Sequence, residues 1–191
     1  MKVFLDTNAL ISLAGLPGTT LLSEFVSNCR SSGIALCVSH IQVDEKVDRE
    51  MPSYQARIDK AILEVRNLGL ETVLESTAVG VWDVSRWDLS RWSGEVESAL
   101  YRKLVELISI CDRNTGKKGD ATRDAITGVS ALDHDLFVVC DECLFRSFQS
   151  ATASQGNLRN RLPKTILRKP TAEDVATGIL EFIVAKNSSG N

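Results

Sequence analysis

The sequence predicts an α/β protein built on a central, mostly parallel sheet with helices on both faces. Two observations carry this. Short, continuously apolar runs of strand length (Val3–Leu5, Ile34–Val38, Leu136–Cys140) alternate with longer segments whose apolar residues recur at the helical period. Strands buried on both faces read in this unbroken way, and strand–helix alternation is the mark of a parallel sheet. The 191 residues suffice for one substantial core, and 43% hydrophobic with 25% charged residues is the balance of a globular domain.

The first strand, Val3–Leu5, ends on Asp6, with Thr7 and Asn8 just beyond. A helix is expected over Asn8–Leu13, broken by Gly15-Leu16-Pro17-Gly18. Thr19 or Thr20 can cap a second helix, whose Leu21, Leu22, Phe25, Val26 and Cys29 share a face and which Ser31-Ser32-Gly33 stops. After Ile34–Val38, Ser39 is placed to cap a helix running from His40 past Glu45. Pro52 interrupts it, and Ile58, Ile62, Val65 and Leu68 carry a further helix to Gly69. Val73-Leu74 reads as a short strand. A Ser-Arg-Trp near-repeat follows around Trp82, Trp87 and Trp92, whose indoles are expected to pack an insertion.

Val96, Leu100, Leu104, Leu107, Ile108 and Cys111 form one stripe of a helix from about Gly94 to Cys111, ahead of a polar, basic loop over 112–119. A helix over Asp120–Leu132 leads into the strand Leu136–Cys140, and a short helix over Leu144–Phe148 follows. Residues 150–163 read as loop and Thr165–Leu167 as a last strand. Thr171 with Asp174 has the pattern of a capping box for a final helix. The chain is expected to form a single domain over 1–186, with a helical insertion at about 70–118 and a disordered tail at 187–191.

No apolar run approaches the roughly 20 residues of a membrane span. The N-terminus has no signal-like cleavage site, and the five scattered cysteines read as reduced thiols, which together give a cytoplasmic expectation. Cys140-x-x-Cys143 is a lone pair without a partner motif, and His40 and His134 show no ligand pattern. The net charge of −3 rules out a uniformly basic nucleic-acid binder.

Acids recur at element ends. Asp6 and Asp141 end strands, Glu45 (beside Asp44) lies early in the helix after the second strand, and Asp124 lies near the start of a helix with Asp120 one turn earlier. Strand-end acids of a parallel sheet share one edge, and clustered like charges call for cations. Hard divalent cations take such oxygen ligands.

Val3-Phe4-Leu5-Asp6-Thr7-Asn8, Arg123-Asp124-Ala125-Ile126 and Phe137-Val138-Val139-Cys140-Asp141 with Phe145 resemble the motifs of PIN-domain nucleases, the family that includes many toxin ribonucleases. The resemblance covers 1–50 and 118–150 and departs at Val139, where the family often carries a hydroxyl. It implies a PIN-like three-layer α/β/α sandwich and a cytoplasmic endoribonuclease. Asp6, Glu45, Asp124 and Asp141 would be the catalytic ligands of Mg²⁺ or Mn²⁺, supported by Thr7, Asn8, Asp120 and Glu142. RNA would meet Lys117, Lys118, Arg123 and Arg146, next to an acid-free basic stretch from Arg146 to Lys169. The implied partners are an antitoxin protein and a second copy of the chain. The alternative is a PIN-like module that binds RNA or protein without cutting. A haloacid-dehalogenase phosphatase also starts strand-Asp, but wants a second Asp where Asn8 stands.

Overall fold

A computed structural model of the chain describes residues 1–43, 52–76, 94–116, 120–153 and 155–188. Glu45, the tryptophan segment, Lys117 and Lys118 lie outside the described residues, so the expectations resting on them are not placed.

Five strands form one sheet: β1 (Lys2–Leu5), β2 (Ala35–Ser39), β3 (Glu71–Glu75), β4 (Leu136–Val139) and β5 (Lys164–Leu167). Their order is β3-β2-β1-β4-β5, and every pairing is parallel. The helices are α1 (Thr7–Leu13), α2 (Leu22–Ser31), α3 (His40–Val43), α4 (Pro52–Asn67), α5 (Glu95–Thr115), α6 (Ala121–Ser130), α7 (Glu142–Thr152) and α8 (Ala172–Ser188). The segment expected as an insertion thus supplies an edge strand, β3, and a covering helix, α5.

Alternation along each strand builds two cores. Val3, Leu5, Leu36, Val38 and Val138 face one side, under α1, α2, α4 and α8. Phe4, Cys37, Phe137 and Val139 face the other, under α5, α6 and α7. On that second side Phe4, Phe137 and Phe148 stack edge-to-face, with centroids 5.7 and 5.4 Å apart.

Several element ends differ from the sequence reading. Thr19 does not cap α2; its hydroxyl donates to the Leu16 carbonyl at 2.9 Å. α5 continues past Cys111 to Thr115, because the left-handed stop is Gly116 at φ 69° and not Asp112. α7 is longer than Leu144–Phe148, since Asp141 caps it one turn earlier and Ala151 and Thr152 extend its buried face. α8 runs through Ser188, so Asn187 and Ser188 are helical and not tail. At its start Thr171 Oγ1 accepts from the Asp174 N–H, while Asp174 Oδ2 accepts from the Lys169 N–H at 2.6 Å.

Two of the five cysteines are not reduced: Cys111 of α5 and Cys143 of α7 form a disulfide. The expectation of five free thiols is corrected. The partner of Cys143 is one helix away, brought by the packing of α5 on α7, and no sequence spacing reports it.

Gly128 lets α6 close on its neighbours. A Cβ there would lie 3.0 Å from Leu104 Cδ1 and 3.4 Å from Phe148 Cδ2. Gly128→Val is therefore expected to cost about 2 kcal/mol by overpacking, read from urea unfolding.

At the amino edge of the sheet, Asp135 accepts from the Lys2 N–H at 2.9 Å and from Lys186 Nζ at 2.8 Å. The Lys186 hydrogen bond, helped by the Lys2 N–H, holds the Asp135 carboxyl below its ordinary range against partial burial. A carboxyl lowered in the folded state contributes stability above its unfolded pKa and loses it as pH falls through the folded value. Lys186→Met should therefore destabilise at pH 6, with the gap from wild type closing as pH falls through the lowered range of the Asp135 carboxyl. Unfolding curves at several pH values check this.

Candidate functional site

In the order β3-β2-β1-β4-β5, chain direction of growth reverses between β1 and β4. That boundary is the switch point of the sheet, and ligands of open parallel sheets bind beyond the strand carboxyl ends there. Asp6 follows β1 and Asp141 follows β4 at that boundary. α1 and α7 begin at the same edge. α6 runs into β4 from the other direction, so its amino end, carrying Asp120 and Asp124, also lies at this edge.

Asp6 is 3% exposed. Its Oδ1 accepts from the Ala9 N–H at 2.6 Å, capping α1. Its Oδ2 accepts from Cys140 N–H at 2.6 Å and from Asp141 N–H at 3.3 Å. One carboxylate thereby starts a helix and ties β1 to the end of β4. Asp141, also buried, accepts from the Leu144 N–H at 2.9 Å and caps α7. Asp120 caps α6, accepting from Thr122 N–H at 3.1 Å and Arg123 N–H at 3.3 Å. Asp124 sits in the first turn of α6.

Two neighbours of this edge add to it: Gln42, which was not singled out by sequence, and Ser39, which was expected to cap the next helix and whose hydroxyl does not. Gln42 is fully buried; its Nε2 donates to the Leu5 carbonyl and its Oε1 accepts from the Ser39 N–H, both at 2.7 Å. It fixes the start of α3 against the end of β1. Ser39 is also fully buried, and its hydroxyl has no hydrogen-bond partner. Both strands advance two residues from the pair Phe4↔Cys37 to reach Asp6 and Ser39, which puts the two on one row. A glutamine three residues into a helix after a strand, behind a serine, was the available sequence signal.

Other expected residues are placed less centrally. Asn8 is exposed, and the donors named above for Asp6 are main-chain N–H groups. Glu142 is exposed and ion-paired to Arg146. Arg123 Nε lies 3.2 Å from Asp120 Oδ2. Val139 is wholly inside the second core, so no hydroxyl faces the site from that position.

The basic stretch from Arg146 to Lys169 is largely engaged. Arg161 bridges Asp133 at 2.8 Å and Glu97 at 2.6 Å, Arg168 pairs with Glu181, and Lys164 lies over the Phe182 ring. Arg159 and Lys169 are exposed. Burial, then the charges of Asp6 and Asp174, pushes the Cys140 thiol up, so it is a poor nucleophile.

No family model, curated protein or solved structure matches this chain. The site therefore stands on its own geometry. Among the described residues, the trio of potential ligands whose atoms all lie within 4.8 Å of one another is Cys37, Glu75 and His134, and the three described acids do not close to that degree. Hard cations such as Mg²⁺ keep several waters and bind through one or two carboxylates, so an open acid set fits them. The unpartnered Ser39 hydroxyl adds an oxygen on the Asp6 row. No single helix among the described residues is long and apolar enough to cross a membrane.

Proposed function

We propose that this chain is a Mg²⁺- or Mn²⁺-dependent endoribonuclease that hydrolyses RNA phosphodiester bonds at the carboxyl edge of its sheet, acting as the toxin of a toxin–antitoxin pair. The observation that carries the reading is that the Asp141 main-chain N–H donates to the buried Asp6 carboxylate, which puts both residues at the switch point between β1 and β4. The resemblance of the surrounding motifs to PIN-domain nucleases supplies the reaction.

Asp6, Asp124 and Asp141, with Glu45, are the residues that would hold the cation. When bound, a divalent cation lowers the pKa of a water and offsets charge on the scissile phosphate. The chain supplies the rest. The N–H groups of Ala9, Cys140 and Asp141 hold the Asp6 carboxylate in one orientation. Gln42 ties the start of α3 to the end of β1. The amino ends of α1, α6 and α7 meet at this edge and favour negative charge, that of a phosphate included. Exposed Arg159 and Lys169, with Lys117 and Lys118, would contact the RNA backbone, and a second copy of the chain and an antitoxin are the proposed protein partners.

One observation favours the non-cutting alternative. Asp6, Asp120 and Asp141 each cap a helix, a structural task that needs no cation. End-labelled mixed RNA and single-stranded DNA, incubated with the chain and Mg²⁺ or Mn²⁺, separate the two. The nuclease cuts RNA internally. RNA retarded on a gel and recovered intact would leave the binding module.

A further inference from the structure

A second cluster of side chains stands apart from the acids. Cys37 lies midway along β2 on the face of the second core, Glu75 ends β3, and His134 precedes β4. Cys37 is fully buried, the His134 side chain is 3% exposed, and Glu75 is half-buried. A cleft of about 420 Å³ lined by Lys2, Glu75, Ser76 and His134 opens on two of them, Glu75 and His134.

The imidazole orientation is fixed from behind. Nδ1 lies 3.2 Å from the Ala131 carbonyl and 3.0 Å from the Leu132 carbonyl. Both are acceptors, so Nδ1 carries the proton and donates. The ring also packs edge-on against Phe4, with centroids 4.9 Å apart. Nε2 points forward, where it is buried without a hydrogen-bond partner. It faces Glu75 Oε2 at 3.1 Å. A proton on Nε2 would make this an ion pair, whereas an Nε2 without one is an acceptor facing an acceptor and calls for a cation between them. The other Glu75 oxygen is already taken, by Lys2 Nζ at 2.8 Å.

We propose that Cys37 Sγ, His134 Nε2 and Glu75 Oε2 form a binding site for a borderline-soft divalent cation of the zinc type. The three ligand atoms lie within 4.8 Å of one another. Metal–ligand lengths of about 2.0–2.3 Å in a tetrahedron put ligands roughly 3.5 Å apart, so a small closure of the side chains completes the set. The mixed sulfur, nitrogen and oxygen donors suit zinc rather than magnesium. The carbonyl behind Nδ1 is the outer contact that orients a metal-bound histidine. Binding releases the Cys37 proton to solvent, and thiolate plus carboxylate neutralise the ion. The fourth position opens to the cleft. The ion would join β2, β3 and the turn before β4. It uses none of Asp6, Glu45, Asp124 and Asp141, so it does not depend on the nuclease reading.

The test uses the full chain, stripped with a chelator, desalted and titrated with Co²⁺ and then Zn²⁺. One equivalent of Co²⁺ should give thiolate-to-metal charge-transfer absorption that Zn²⁺ displaces. Cys37→Ser should abolish that band and weaken zinc by more than about 100-fold, beyond the loss of an outer contact. Asp141→Asn should leave both intact. Zinc X-ray absorption on the wild type, which needs no variant to fold, should show one sulfur at about 2.3 Å. A wild type without the thiolate band, a band that survives in Cys37→Ser, or a zinc shell of nitrogen and oxygen alone overturns the proposal and leaves an imidazolium–carboxylate pair.

Discussion

Asp6→Ala is expected to destabilise the chain by about 4 kcal/mol, a large share of the 5–15 kcal/mol that holds a typical domain. The substitution strips the acceptor from three main-chain N–H groups, those of Ala9, Cys140 and Asp141. A buried donor left without a partner costs about 1–3 kcal/mol, and a lost helix cap about 1 kcal/mol. The damage is concentrated where β1 meets β4, the central pair of the sheet. Asp6→Asn is not a mild control. Asparagine offers one oxygen for two sets of donors, and its NH₂ group would face either Ala9 N–H or the Cys140 and Asp141 pair. It should cost about half as much as the alanine. Urea unfolding of the three proteins checks the order wild type, Asn, Ala. Equal midpoints would show that the Asp6 carboxylate does not hold the sheet together. It follows that loss of activity in an Asp6 variant cannot separate ligand from cap.

Reduction of Cys111–Cys143 should be the second large effect. The bridge closes a loop with a sequence separation of 32 residues between α5 and α7. Loop-closure entropy for that length corresponds to about 3.7 kcal/mol. At 2–4 °C per kcal/mol for a chain of this size, the melting temperature should fall by about 10 °C on reduction. Cys111→Ser/Cys143→Ser should melt with the reduced wild type and be indifferent to reductant. A wild type whose melting temperature does not respond to reductant would contradict the bridge. The bridge lies two residues from Asp141, so reduction loosens the amino end of α7 first.

Much of this architecture can be read from the sequence because it is local. Val3–Leu5, Ile34–Val38 and Leu136–Cys140 announce strands by unbroken apolar runs, and Asp6, Asp120 and Asp141 precede helices that they cap. What escaped is carried by contacts through space. The pairing of Cys111 with Cys143, the Gln42 link between β1 and β2, and the meeting of Cys37, Glu75 and His134 join residues far apart in the chain. The basic stretch from Arg146 to Lys169 misleads for the same reason. Its counter-charges, Asp133, Glu97 and Glu181, come from other segments. Helix ends shift where a distant stop, such as Gly116 for α5, outweighs a nearer polar residue.

Asp124 gives the most direct test of the carboxyl-edge site, because it lies in the first turn of α6 and the cap there is Asp120. RNA cleavage should be measured for wild type, Asp124→Asn and Asp141→Asn, each with Mg²⁺ and with chelator, after circular dichroism has shown all three folded. The prediction is cleavage by the wild type only with the cation, and a fall on the order of 100-fold or more in both variants. Cleavage that continues unchanged in chelator, or survives in both folded variants, would contradict the assignment of these acids to a metal-dependent nuclease.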